Sequence, residues 1–157
     1  MGKVHSLKVE QKIPAGLDEV WGFISSPKNL KEITPEYMGF DILTKEDIST
    51  MYQGMIINYI VRPVMGIPMH WTTEITTVED RHYFIDEQRF GPYALWHHKH
   101  FLQPIDGGVL MTDLVHYKLP FGWIGNLGLP YVKSKLRGIF DFRFKALEQK
   151  FGIYQTR

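Results

Sequence analysis

Three imidazoles stand close together in Trp96-His97-His98-Lys99-His100, and the carboxylates Asp86 and Asp113 lie in the apolar segments before and after them. Side chains alternate along an extended strand, so His98 and His100 project to one side and His97 to the other. Histidine changes charge near neutral pH, and a carboxylate beside it orients the ring and raises its pKa. Three chemistries suit such a group. One is general acid–base catalysis, with His98 or His100 as base and Asp113 as orienter. Another is metal ligation by His98, His100 and Asp113. The third is a hydrogen-bonded polar network that fixes the polar end of a ligand. The chain has no cysteine, which removes thiolate nucleophiles, disulfides and Cys-type zinc sites together. No nucleophile–base–orienter set stands out. We therefore expect the polar network, with no catalytic residue, no bound metal and no cofactor.

Those residues need strands to hold them. The 157 residues are 44% hydrophobic and 22% charged, enough for one folded core, and a single domain over residues 1–157 is expected. A net charge of +1 lacks the basic stripe that phosphate neutralisation requires, so no nucleic-acid partner is expected. No apolar run approaches the roughly 20 residues of a membrane span, and Met1 to Ser6 lack a signal-peptide core, so a cytoplasmic location is expected.

From His5 to Ile13 the residues Leu7, Val9, Gln11 and Ile13 alternate with Lys8, Glu10 and Lys12, the period of a half-solvated strand. Pro14-Ala15-Gly16 ends it. Leu17, Val20, Trp21 and Ile24 then recur at helical spacing, and Asn29 to Ile33 read as a second short helix. Strands follow at Phe40–Thr44, Met55–Arg62, Met69–Val78, Tyr83–Phe90, Leu95–Gln103 and Val109–Leu119, separated by turn residues such as Gly91-Pro92 and Asp106-Gly107-Gly108. Short connections between consecutive strands imply an antiparallel meander. A long helix from about Tyr131 to Phe151 closes the chain, with Leu136, Phe140, Phe144, Leu147 and Phe151 as its apolar face and Gly152 as its stop. Lys133, Lys135, Arg137, Arg143, Lys145 and Lys150 supply its basic side.

The long cations assign the sheet faces, because an unpaired Lys or Arg belongs in water. With Arg89, Lys99 and Lys118 outside, Asp86, Gln88, Trp96, His98, His100, Asp113 and Tyr117 point inward, on the face that Phe84 and Phe90 share with Asp86. With Glu74 outside, Met69, Trp71, Thr73, Ile75 and Thr77 join them, as do Met55, Ile57 and Tyr59. A bulge inverts part of such an assignment. The expected interior is an aromatic and aliphatic cavity crossed by a polar band.

The order β-α-α, a run of strands and a long final helix resembles the helix-grip fold of the START and Bet v 1-like (SRPBCC) superfamily. The resemblance rests on Ile13-Pro14-Ala15, Glu19-Val20-Trp21, Asn29-Leu30 and Ile33-Thr34-Pro35. It continues in Trp71-Thr72-Thr73-Glu74-Ile75, Gly91-Pro92-Tyr93, Trp96 to Phe101 and Asp113 to Gly122. The last three blocks look like the bacterial ligand-binding SRPBCC-domain subgroup, also called polyketide cyclase-like or cell-division-inhibitor-like. The resemblance implies an α+β fold in which about seven curved antiparallel strands wrap a C-terminal helix around an apolar cavity.

The expected ligand is a small hydrophobic or amphiphilic molecule, lipid-like, polyketide-like or isoprenoid. Tyr59, Trp71, Thr73, Phe84, Asp86, Gln88, Trp96, His98, His100, Asp113, Tyr117, Leu136, Phe140 and Phe144 are its candidate contacts. Met65 and Ile67 in the Pro63–Pro68 connection, with Trp123, Ile124 and Leu127 in the apolar loop 121–129, are candidate portal or lid residues. That loop suits a packed lid, a homodimer contact or a membrane-dipping entrance. Lid or dimer contact fits better, because no basic cluster precedes it, although Lys133, Lys135 and Arg137 follow. Two alternatives stay open: a cyclase, dehydratase or hydrolase using His98, His100 and Asp113, and a protein-interaction module using loop 121–129.

Overall fold

The computed structural model describes residues 3–155 except Asp47, Trp123, Ile124 and Asn126, with Val64 described by its backbone alone. Seven strands form one antiparallel sheet: β1 His5–Ile13, β2 Asp41–Ile42, β3 Ile56–Val64, β4 Ile67–Glu79, β5 Tyr83–Phe90, β6 Leu95–Ile105 and β7 Gly108–Lys118. Their order across the sheet is β1-β7-β6-β5-β4-β3-β2. Helix α1 spans Leu17–Ile24 and helix α2 spans Leu129–Phe151, with 3₁₀ turns at Pro27–Ile33 and Glu36–Met38 between α1 and β2. The expected second helix is thus 3₁₀ in character, consistent with Pro27 at its start and Thr34-Pro35 at its end.

Strand β1 extends the meander as an edge by pairing with β7, His5 opposite Tyr117 and Ile13 opposite Val109. Bulges bend the sheet where β3 meets β4 between Val61 and Val64, and where β4 meets β5 at Thr72/Thr73 and Ile75/Thr77. The last of these corrects one expectation. Ile75 faces the core, but the slip turns Thr77 away and leaves Val78 packed against the core instead. A second correction concerns Pro63–Pro68. It is not a loose connection, because β3 and β4 run on to Val64 and Ile67 and leave Met65-Gly66 as a tight hairpin turn with both φ positive.

Helix α2 starts with Pro in its first turn and stops at Gly152, whose φ of 95° suits glycine and whose N–H bonds to the Glu148 carbonyl at 2.8 Å. Its buried line is Leu136, Phe140, Arg143 and Leu147. The sequence pattern places Phe144 there. At 3.6 residues per turn Arg143 lies about 20° from Leu136 around the axis, whereas Phe144 lies about 80° away. Phe144 is therefore half-buried to one side, where its carbonyl accepts a hydrogen bond from Gln11 Nε2 at 2.9 Å. Between the sheet and α2 the main core gathers Val20, Trp21, Ile24, Ile57, Trp71, Ile75, Phe84 and Met111, and a second cluster joins Val115 and Tyr117 to Leu136 and Phe140.

Candidate functional site

Three adjacent strands build the polar band. The registers set Asp86 of β5 opposite His98 of β6, and His100 of β6 opposite Asp113 of β7. The tightest bonds run diagonally across this grid, within reach of long side chains on one face. His100 Nε2 lies 2.6 Å from Asp86 Oδ2, and His98 Nε2 lies 2.8 Å from Asp113 Oδ1. The direct neighbours are looser: His100 Nδ1 to Asp113 Oδ1 is 3.0 Å and His98 Nδ1 to Asp86 Oδ2 is 3.6 Å. Each imidazole thus spans the two carboxylates. Phe84 stacks on His100 with centroids 4.0 Å apart, and Phe140 meets His98 edge-on at 5.7 Å.

The two rings are 3.7 Å apart, so they do not share positive charge comfortably. Burial opposes protonation of both. At His98 burial and the neighbouring His100 prevail and the pKa falls. At His100 the burial cost is overcome by hydrogen bonds to Asp113 and Asp86, and the pKa rises. Burial also works against the charge on Asp113, but the Arg143 guanidinium and the two imidazoles hold its carboxyl well below the usual range. Asp86 is lowered too, as both histidines outweigh its burial. The directions make His100 the ring that takes a proton first and His98 the ring that stays neutral, with Asp86 and Asp113 ionised beside the Arg143 guanidinium. With His100 protonated, the charges of the cluster balance.

In that charge state the distances place the protons. His100 donates from Nε2 to Asp86 and from Nδ1 to Asp113. His98 donates from Nε2 to Asp113, which leaves a lone pair on Nδ1 beyond hydrogen-bonding reach of Asp86. Arg143 Nη2 stands 3.5 Å from Asp113 Oδ1 and 3.4 Å from His100 Nδ1. Because that nitrogen carries a proton, the carboxylate is the acceptor. Arg143 Nε is buried with no partner.

The band forms one wall of a cavity of about 180 Å³. Asp86, His98, His100 and Arg143 line it, with Tyr59, Thr73, Trp71, Trp96, Phe84, Leu136 and Phe140. The remaining walls are mostly apolar and include Ile57, Val61, Ile75, Tyr93 and Ile139, with Leu30, Ile33, Met38 and Phe40 closing the side of the 3₁₀ turns. Thr73 Oγ1 accepts from Trp71 Nε1 at 3.0 Å and shares a 2.6 Å hydrogen bond with the Tyr59 hydroxyl, whose pKa burial drives upward. The strand alternation thus brings most of the expected contact residues to one space.

Several expected contacts lie elsewhere. Gln88 does not reach the cavity, because its amide brackets the β5–β6 turn, donating to the Tyr93 carbonyl at 2.7 Å and accepting from the Tyr93 N–H at 3.1 Å. A Cβ on Gly91 would come within 2.5 Å of that side chain, so the clamp depends on glycine there. Tyr117 is buried in the second cluster beside Val115 and Leu136, not on the cavity wall. Asp113 stands behind the two histidines rather than on the wall, so it orients them without facing the space. Phe144 is off the wall for the helical-phase reason given above. Met65, Ile67 and Leu127 are exposed and do not line this cavity, while Trp123 and Ile124 fall outside the described residues.

Arg143 is the cavity-wall residue the sequence reading misses. Its type groups it with the basic face of the last helix, yet it is 8% exposed. Two buried carboxylates demand more than one cation, and Arg143 is the one basic residue at the phase of Leu136 and Leu147 in the middle of α2.

Among the described residues, the group that could hold a metal is Asp86, His98 and His100, whose ligand atoms lie within 4.8 Å of one another; Asp113, the third ligand of the metal alternative, is not among them. Holding a divalent ion there requires breaking the His100–Asp86 hydrogen bond and placing the ion beside the Arg143 cation. The arrangement suits proton sharing better than metal ligation.

No family model matches the chain, and no curated protein matches its sequence. Solved structures do match. A protein of Thermus thermophilus aligns with a TM-score of 0.68 at 16% identity, over 94% of this chain and 97% of that one. Ara h 8.0201 aligns at 0.66 and 14%, over 95% and 98%. The major latex-like protein 151 of Panax ginseng aligns at 0.63 and 11%, over 94% and 97%. Sequence identity this low speaks for architecture alone, and on that level the chain has the Bet v 1-like helix-grip fold.

Proposed function

We propose that the protein binds a small apolar molecule bearing one polar group, as a non-catalytic carrier or sensor. The observation that carries this reading is the cavity's asymmetry: apolar side chains on most sides, and on one wall a charge-balanced cluster of Asp86, His98 and His100. An apolar body gains roughly 25 cal/mol for each Å² removed from water. Its polar end must find a partner, since an unpaired buried polar group costs about 1–3 kcal/mol. His98 Nδ1 supplies an acceptor for a hydroxyl, and the free Nε–H of Arg143 supplies a donor for an oxygen. A volume of about 180 Å³ favours a guest of one or two rings over a long acyl chain.

The test compares 2-naphthol with naphthalene, read by quenching of Trp71 and Trp96 and by native mass spectrometry. Saturable binding with 2-naphthol at least tenfold tighter is expected. Failure of both probes to bind, or equal affinity for the two, refutes the reading.

A second reading is favoured by one specific feature. His98 and His100 are pushed apart in protonation, and the neutral ring is oriented by a carboxylate, the arrangement a general base needs. In a cyclase, dehydratase or hydrolase, His98 Nδ1 would take the proton while Asp113 steadies the imidazolium. A His98→Gln variant that keeps 2-naphthol binding and loses turnover of a polyketone substrate supports it; unchanged turnover removes it.

A further inference from the structure

The antiparallel order puts the β3–β4 turn, the β5–β6 turn, the end of β7, the start of β1 and the first turns of α2 at one end of the molecule. Six large apolar side chains project into solvent there: Met65 is 89% exposed, Phe121 82%, Leu127 75%, Phe90 73%, Ile67 56% and Tyr131 43%. Two of them occupy backbone that normally belongs to glycine or asparagine. Met65 has a φ of 48° and Phe121 a φ of 62°. A methionine and a phenylalanine held outward at those positions are not accounted for by folding. The cavity reaches toward this end, since Pro63, Tyr93, Tyr131 and Val132 belong to its lining.

Charge is segregated along the same axis. Residues 48–73, 88–105 and 114–140 contain no Asp or Glu, while Lys118, Lys133, Lys135 and Arg137 fall among them. The nearest strand acids are paired: Glu74 and Glu87 with Arg89 at 2.5 and 3.4 Å, and Glu87 also with His97 at 2.5 Å. On the flanking edge Asp41 is tied to Arg62 at 3.2 Å, with Glu36 beside Tyr37. At the opposite end Asp18 and Asp80 pair with Arg81, and Glu19, Glu79 and Asp106 stand with Lys12. Within a net charge of +1, this end is thus poor in free acids, rich in Lys and Arg, and studded with apolar groups, while the opposite end is mixed.

We propose that this end docks the protein on a bilayer containing anionic lipid, with Met65, Phe121 and Leu127 entering the headgroup region and Lys133 and Arg137 meeting lipid phosphates. Apolar insertion and electrostatic attraction add in such binding. A second copy of the chain fits less well, because a two-fold contact would set like-charged basic faces together. The proposal goes beyond ligand binding and does not depend on what fills the cavity.

The experiment is flotation of the full chain with vesicles of phosphatidylcholine alone and with about one third phosphatidylglycerol. Binding to the anionic vesicles only is expected, abolished at about 1 M salt, where the Debye length is about 3 Å. Lys133→Gln and Arg137→Gln should each weaken it roughly fivefold, and Met65→Ser with Phe121→Ser and Leu127→Ser should remove it. Lys12→Gln, at the opposite end, should change nothing. All variants should keep the wild-type circular dichroism spectrum and urea midpoint, which separates loss of docking from damage to the fold. No flotation with either vesicle, flotation indifferent to these variants, or a dimer in light scattering that the three apolar variants dissolve, each overturns the proposal.

Discussion

Arg143→Met tests the electrostatic account most directly. It replaces a buried guanidinium with an apolar side chain of similar length, on a helix face flanked by Phe140 and Leu147. The cluster then holds two anions against one cation. At an effective dielectric of about 20, an ion pair at 3.5 Å is worth roughly 5 kcal/mol before desolvation is counted. Breaking one partner out of a buried pair costs about 3–5 kcal/mol, because the other charge stays buried. For a domain of this size that corresponds to a fall in Tm of about 6–20 °C.

The cluster has one way to respond. His98 is the neutral member, and without Arg143 it gains from taking up a proton. The loss should therefore be largest near pH 8 and smaller near about pH 5.5, where protonating imidazole is cheap. Urea unfolding at both pH values measures it, and NMR titration of His98 should show its pKa rise in the variant. Adding Asp113→Asn should restore about half the loss or more, since the uncompensated charge is then gone. The reasoning fails if Arg143→Met stays within about 1 kcal/mol of wild type at both pH values, or if the double variant is less stable than the single one.

Thr73→Val should cost about 1–3 kcal/mol in urea unfolding, because it strands the Trp71 indole N–H and the Tyr59 hydroxyl, which both depend on Thr73 Oγ1; a loss within error would mean that other partners satisfy them. Stability should also follow pH in a direction set by the cluster. His100 is raised from 6.5, so its contribution is whole below that value and disappears as pH climbs through its folded pKa. His98 is lowered, so its contribution is present above its ordinary value and is lost as pH falls through its folded one. Asp86 and Asp113 are lowered from 3.8, so theirs is lost as pH drops below that. Urea midpoints across the pH range should show the carboxylate loss in acid and a decline on the alkaline side that His100→Gln abolishes; an unchanged alkaline decline in that variant contradicts the assignment.

Much of the fold is legible because sheets write their faces into the chain. The alternation in His98, His100 and Leu102 against His97, Lys99 and Phe101 is sufficient to predict which imidazoles point inward, and the structure buries the first set. Strand limits are less legible at hairpins, where Met65-Gly66 gives a tight turn that the flanking prolines disguise as a loop. Alternation misplaces Thr77 because nothing in Ile75-Thr76-Thr77-Val78 marks the bulge that shifts its register. Gln88 shares the parity of Asp86 and still misses the cavity, since its amide finds a nearer partner in the turn. Arg143 escapes for a different reason. Its residue type argues for solvent, and only the demand of the carboxylates across the cavity argues against it.

That demand raises the question of why the cluster is charged at all. Replacing a buried ion network by apolar residues of similar volume is often neutral or stabilising by about 1–4 kcal/mol. Stability therefore does not explain Asp86, His98, His100, Asp113 and Arg143. Their placement is informative here. Asp113 is sealed behind the rings and serves them, while Asp86, His98, His100 and Arg143 present themselves to the cavity. A purely structural network has no reason to expose donors and acceptors to an otherwise apolar space. A five-site variant, Asp86→Leu, His98→Phe, His100→Leu, Asp113→Leu and Arg143→Met, should accordingly fold with stability equal to the native chain or greater. It should still bind naphthalene and should lose its preference for 2-naphthol. A five-site protein that unfolds would show that the network is structural, and one that keeps the preference would place the polar anchor outside these residues.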